Sequence, residues 1–325
     1  MNKASKVLLL LSLAWAGYSV ANPLTPELQQ AKQRGIEAYQ TWHCEKAVPL
    51  LTKPAEAGDS DSQYYIGDCI LQDYTMMNNE SSHWFTKAAE QGDIYAMMRL
   101  GETDALCQKL NSCDKNAGLW RDKAMQLAGQ KAEQGDGEAM YQLYLMTDKL
   151  SWLEKSAEAN YPVAQYKLST KYSEGHGTFL LSSRQEAEDK WLKAAADNNY
   201  PPAMVLWSDK LIKLSRVDEA KEYMLKAANM GYTDAVFSYG VSLVYSIRYD
   251  GEKNVYGLQE DIPKGYGLLY LLADIDYSSG KNSLKRITPK LTPEQIEQGK
   301  AYAQEWQKTH PPLSLFRHKY WYPSH

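Results

Sequence analysis

Small and apolar residues recur along this chain in blocks that all close the same way. Six segments end on Gly or Asn: Thr52-Lys-Pro-Ala-Glu-Ala-Gly58, Thr86-Lys-Ala-Ala-Glu-Gln-Gly92, Gln130-Lys-Ala-Glu-Gln-Gly135, Glu154-Lys-Ser-Ala-Glu-Ala-Asn160, Lys193-Ala-Ala-Ala-Asp-Asn-Asn199 and Leu225-Lys-Ala-Ala-Asn-Met-Gly231. A helix that finishes on a left-handed residue takes Gly at no steric cost and Asn at a small one, whereas other side chains clash. Each block therefore predicts a helix end capped by Gly58, Gly92, Gly135, Asn160, Asn199 or Gly231. Four residues beyond each cap a small residue returns (Ser62, Ala96, Ala139, Ala164, Ala203, Ala235), seven after the Ala that precedes the cap (Ala55, Ala89, Ala132, Ala157, Ala196, Ala228). Small residues on both sides of a tight turn let two helices approach closely, so the predicted unit is a helical hairpin. Its neighbours must cover the apolar faces that it cannot bury alone.

The helix entering a cap carries a large aromatic near its start, as at Trp84, Trp152, Trp191 and Tyr223, and the helix leaving it places Ala164, Tyr166, Leu168 and Tyr172 at helical spacing. Successive caps lie 34, 43, 25, 39 and 32 residues apart, the range of two-helix repeats. The expected fold class is all-α, an α/α superhelical solenoid. The pattern W/Y-x-x-K-A-A-E-x-G-x-x-x-A, followed by a Tyr/Leu-Gly helix and a Gly-x-Gly loop as in Tyr172-Ser-Glu-Gly-His-Gly177, resembles the Sel-1-like repeat, a relative of the tetratricopeptide class, over roughly residues 45–275. The match departs from the pattern at an insertion over residues 102–120, in the short unit around Asn160, and in a degenerate seventh unit. There Asp261-Ile-Pro-Lys-Gly-Tyr266 replaces the usual helix start and no Gly follows Leu272-Ala273.

The two ends read differently from the middle. Lys3 and Lys6, an apolar run over residues 7–17 and the small residues Ser19-Val20-Ala21 spell a cleaved signal peptide with the cut after Ala21. The run is about half of the ~20 residues that a spanning helix needs, so no stable membrane anchor is expected. Residues 22–44 hold an amphipathic capping helix, residues 45–275 the solenoid of six clear units and one degenerate one, and residues 276–309 a C-terminal capping region. In the last of these, Thr292-Pro-Glu-Gln295 spells an N-cap with Pro at the first turn and a capping-box partner. Residues 310–325 form an aromatic and basic tail, Phe316-Arg-His-Lys-Tyr-Trp-Tyr322, which either folds back on the last hairpin or docks on a partner.

Charge and chemistry narrow the function. Removing the leader takes two of the 36 basic residues and none of the 40 acidic ones, leaving a balance of −6 spread along the chain. That distribution argues against nucleic acid and against an anionic membrane surface. Four cysteines in an exported chain favour two disulfides. Three pairings are open, and the local one, Cys44 with Cys69 and Cys107 with Cys113, is the expectation. No metal or cofactor is expected, because no CxxC spacing or helical His pair is present. The six histidines fall in separate elements, and His176 sits in a Gly-x-Gly turn whose glycines serve backbone geometry. Glu56, Glu90, Glu133 and Glu158 mark a repeat position and not an acid/base pair, so no enzyme is expected.

A curved stack of hairpins offers a long surface to another protein, and 24 Tyr and 9 Trp against 4 Phe supply amphipathic aromatics suited to binding. By analogy with tetratricopeptide geometry, the helix after each cap lines the concave side, which nominates Gln63, Tyr95, Arg99, Gln142, Lys167, Trp207 and Ser238 as partner-binding residues. The resemblance implies a periplasmic or secreted protein-binding role. It fits an immunity protein that neutralises an antibacterial effector such as a lipase, with a virulence or envelope adaptor as the alternative and a peptidoglycan-active enzyme as a more distant one.

Overall fold

The computed structural model describes residues 23–74, 77–102, 115–177, 181–245 and 254–320. The expected leader, the pairing of Cys107 with Cys113, and Trp321 and Tyr322 of the tail lie outside the described residues. Among those residues there are sixteen α-helices and no strand: α1 (Pro26–Gln40), α2 (Cys44–Glu56), α3 (Ser60–Tyr74), α4 (Asn79–Glu90), α5 (Ile94–Leu100), α6 (Ala117–Glu133), α7 (Gly137–Thr147), α8 (Leu150–Glu158), α9 (Pro162–Ser173), α10 (Leu181–Asp197), α11 (Pro201–Lys213), α12 (Val217–Asn229), α13 (Thr233–Val244), α14 (Ile262–Asp274), α15 (Ser278–Ile287) and α16 (Pro293–Thr309). Each packs chiefly on its neighbours in sequence except α16, which packs on α14. The molecule is an all-α superhelical solenoid.

The hairpin turns follow from backbone chemistry. All six closing residues have positive φ, between 61° at Asn160 and 97° at Gly58. In that conformation the next amide turns back into the finished helix, as from Asp59 to the Pro54 carbonyl (3.1 Å) and from Tyr161 to that of Ser156 (3.2 Å), which satisfies carbonyls that the helix end leaves open. After the first three caps an Asp starts the new helix: Asp59, Asp93 and Asp136 accept from the amides of Ser62, Ala96 and Ala139 at 2.8, 2.9 and 3.0 Å. After the last three, Tyr161, Tyr200 and Tyr232 stand in that place without a capping side chain, and Pro162 and Pro201 pre-set the first turn. The small residues flanking the turns are buried, so the hairpins close on them.

At the C-terminal end, glycines let helices touch backbone to backbone. A Cβ on Gly267 of α14 would lie 2.5 Å from the Gly299 carbonyl of α16, and one on Gly265 would lie 2.8 Å from the Gly240 carbonyl of α13. A backbone atom cannot rotate away, so Gly267→Ala is expected to destabilise by about 1–3 kcal/mol, against a helix-propensity gain of up to about 1 kcal/mol. Gly129→Ala in α6, where an added Cβ meets nothing within 4 Å, should be neutral or stabilising. Urea denaturation of both variants checks this, and equal shifts in one direction would refute the close-approach argument. Thr292 caps α16 with reciprocal bonds to Gln295 of 3.2 and 3.0 Å.

The stack curves far enough for its ends to meet. His43 before α2 lies 3.4 Å from Asp276 after α14. A cavity of about 580 Å³ between α1, α2, α14 and α16 is lined by Arg34, Lys46, Leu271 and Trp306 among others. The inner face of the curve therefore looks at both the first and the last hairpins. No helix among the described residues is long and apolar enough to cross a membrane.

Candidate functional site

The inner face is occupied by the chain's own tail. Past α16, His310 stacks on Trp306 with ring centroids 3.5 Å apart. Pro311-Pro312 ends the helix, and the backbone then runs extended along the turn before α13. The Ser314 amide donates to the Gly231 carbonyl (2.9 Å) and the Thr233 amide donates to the Ser314 carbonyl (3.2 Å). Gly231 is needed twice here, since its φ is +82° and a Cβ would lie 2.4 Å from the Pro312 carbonyl oxygen. Phe316 then meets the edge of Tyr232 at 6.0 Å.

Beyond Phe316 the tail leaves the last hairpins and crosses to the first ones, so it is not confined to the last hairpin. The Gln40 amide of α1 brackets the Arg317 peptide: its Oε1 accepts from the Arg317 amide and its Nε2 donates to the Arg317 carbonyl, both at 2.7 Å. The guanidinium is buried over the rings of Trp42 and Tyr39, at 3.4 and 4.5 Å, and donates to the Tyr39 carbonyl (3.0 Å). His318 meets the edge of Tyr141 in α7. Lys319 bridges Asp61 of α3 (2.7 Å) and Asp93 before α5 (2.6 Å). The Tyr320 amide donates to the Tyr64 hydroxyl (2.7 Å), and its ring lies 4.4 Å under the Arg99 guanidinium.

The electrostatics agree with a docked segment. Burial pushes the Asp61 carboxyl up, but the ammonium groups of Lys319 and Lys32 outweigh it and hold the group at about 2. Burial pulls the Lys319 ammonium down, and Asp93 and Asp61 more than restore it, above the ordinary lysine range. Burial, aided by the charge of Lys167, holds the His318 imidazole below its usual value. A base whose pKa is lowered on folding stabilises the docked state fully above its ordinary value, about 6.5, and that share is lost as pH falls through the lowered value. The Asp61 share is full above the ordinary carboxyl value, 3.8, and is lost as pH falls from there through about 2. Between pH 7 and 5 the tail should therefore loosen through His318. Hydrogen exchange at residues 314–320, corrected for intrinsic rates, reads this, and an unchanged response in His318→Asn would discard it.

The structure places the seven residues nominated from the sequence at or below the surface. Gln63, Tyr95, Arg99, Gln142 and Trp207 are buried, and Lys167 and Ser238 are half-buried. Gln63 donates to the Ala55 carbonyl (2.8 Å) and accepts from Gln91 (2.7 Å), tying adjacent turns together. Trp207 belongs to the core around Leu211 and Tyr239. Ser238 donates back to the Asp234 carbonyl (2.9 Å) within its own helix. Arg99 pairs with Asp68 at 2.8 Å, and Tyr95 faces the Tyr320 ring. Gln142 lines a cavity of about 390 Å³ beside the tail. Gln63 and Trp207 thus face neighbouring units, and Tyr95, Arg99 and Gln142 face the tail.

Of the residues that hold the tail, Tyr95 and Arg99 are among those nominated from the sequence, whereas Gln40, Asp61, Tyr64 and Asp93 are not. One signal does exist in the sequence: acids follow the first three caps at Asp59, Asp61, Asp93, Asp136 and Glu138, while the tail offers Arg317-His-Lys319. The Cys44–Cys69 disulfide is formed, with Cα atoms 5.3 Å apart. His176 is exposed, with Glu174 at 3.7 Å, and among the described residues no cluster of His, Cys, Asp and Glu could hold a metal ion.

No family model matches the chain. Among solved structures it is similar to a protective antigen of uropathogenic Escherichia coli with an SLR fold, at 21% identity and a TM-score of 0.49, over 88% of this chain and 62% of that one. It is also similar to a Sel1 repeat protein from Oxalobacter formigenes (17% identity, TM-score 0.45, 87% of this chain and 84% of that one). A third is an immunity protein from Pseudomonas aeruginosa (17% identity, TM-score 0.43, 68% of this chain and 83% of that one). The chain thus spans less than two thirds of the length of the Escherichia coli antigen.

Proposed function

We propose that this chain is a non-enzymatic, exported repeat protein that holds another protein, and that the partner is an antibacterial effector which it neutralises in the periplasm. The observation that carries the binding reading is the inner face itself. It grips an extended polypeptide by main chain and side chain at once, through Gln40, Tyr64, Asp61 and Asp93, which are spread over two helices and the turn before α5. A surface that satisfies a foreign-looking backbone in this way is what peptide recognition requires. The export reading rests on the leader-like residues before Ala21, and the immunity reading on the sequence resemblance.

The test has two stages. N-terminal sequencing of protein from a periplasmic fraction should give Asn22 as the first residue, and an intact leader would refute the cut. Affinity capture from periplasmic extract, followed by growth protection against the captured effector, tests the rest. Stoichiometric capture with protection supports immunity, whereas capture without protection retires it in favour of an envelope adaptor.

A further inference from the structure

The tail carries information about what the groove is built to take. Resting on the reading that this protein binds another, we propose that the groove's ligand is an extended partner segment with an Arg-x-Lys-aromatic core, which displaces the chain's own tail.

Several observations point this way. The inner face is divided in two: acids follow the first three caps and tyrosines the last three. The tail matches that division, with Phe316 on Tyr232 and Lys319 between Asp61 and Asp93. Recognition is concentrated in four consecutive residues, each with its own pocket: aromatic rings for Arg317, Tyr141 for His318, two carboxylates for Lys319, and Arg99 with Tyr95 for Tyr320. Arg317 is planar and stacks on rings, while Lys319 acts as a point charge, so each basic residue sits where its chemistry fits.

The fit is nevertheless incomplete. Phe316 and Tyr320, which bracket the core, have φ of 51° and 64°, a left-handed conformation that costs free energy in any residue but glycine. A segment in trans, free of the covalent tie to α16, need not adopt it. Beside Lys319 and His318 the cavity of about 390 Å³ is also lined by Asp93, Glu138 and Gln142. The buried Oε1 of Gln142 has no hydrogen-bond partner among the described residues. A partner side chain longer than imidazole and carrying N–H donors would offer this oxygen the donor that His318 does not supply.

The experiment uses the full mature chain carrying Arg317→Ala and Lys319→Ala, which frees the groove, and a fluorescent synthetic peptide of residues 313–320. Anisotropy should show binding to the variant about 10- to 100-fold tighter than to the unaltered chain, because the docked tail lowers the competent fraction to roughly a tenth or a hundredth. A peptide with Glu at both basic positions should not bind, Asp61→Asn in the protein should weaken binding, and a peptide with Arg in place of His318 should bind more tightly. If the double variant does not fold, Lys319→Ala alone replaces it. A folded variant that leaves the 313–320 peptide free at 1 mM overturns the proposal and makes the tail a structural strap. A captured effector that binds equally in the presence of saturating peptide also overturns it, while the binding function itself stands. Tight peptide binding with no captured partner supports the groove assignment and counts against the immunity reading instead.

Discussion

Arg99→Met is expected to lower the free energy of unfolding by about 3–5 kcal/mol, the usual cost of removing one partner from a buried ion pair. Arg99 and Asp68 each expose 1% of their side chains and lie 2.8 Å apart. Asp68 also accepts from the Tyr39 hydroxyl (2.8 Å) and from Gln72 (2.7 Å) through its other oxygen. Burial first, and Asp68 second, push the Tyr39 hydroxyl well above its usual range, so it stays a donor at any working pH. The network joins α1, α3 and α5, and methionine would leave Asp68 charged and undercompensated inside it. Adding Asp68→Asn to Arg99→Met should recover part of the loss, because the amide still accepts from Tyr39 without a buried charge. Urea titration of the two single variants and the double one measures the coupling. A loss below about 1 kcal/mol for Arg99→Met, or strict additivity, would show that the pair contributes no more than an exposed one.

The second large effect is the covalent one. Cys44 opens α2 and Cys69 lies within α3, 25 residues apart. Closing a loop of that length restricts the unfolded chain by an amount worth about 3–4 kcal/mol in the chain-entropy account. Cys44→Ala with Cys69→Ala should therefore unfold at markedly lower urea concentration, with the deficit felt first in α1, α2 and α3. Because Gln40 and Trp42 adjoin this hairpin and hold Arg317, tail amides should exchange faster in the same variant. An unfolding free energy within 0.5 kcal/mol of the parent, a shift typical of neutral surface changes, would place the stabilisation elsewhere.

The solenoid was legible because its signal is local. A cap needs a residue that tolerates positive φ, and the small residues flanking it lie within eight positions, so sequence alone locates each turn. The inner face was legible only in outline. The helices that follow the caps do line it, but which of their residues meet solvent depends on what crosses them, and that segment lies up to 278 residues away in sequence. No periodicity links Lys319 to Asp93 or Arg317 to Gln40. Repeat register placed Gln63 and Trp207 on the right helices and gave no indication that one ties turns together and the other fills the core. Charge was the informative quantity: averaged over the chain it is unremarkable, whereas acids grouped behind three caps and bases grouped in the tail mark two complementary surfaces.

The bond between Gln40 and Arg317 joins the first helix to the last few residues. Open repeat arrays unravel from whichever end is weakest, since each unit leans only on the next. Here neither α1 nor the segment after α16 is free to peel first, because loosening one releases the clasp on the other. Unfolding should then be a single collective event, and a ligand that ejects the tail would turn a closed hoop into an open spring whose two ends melt independently.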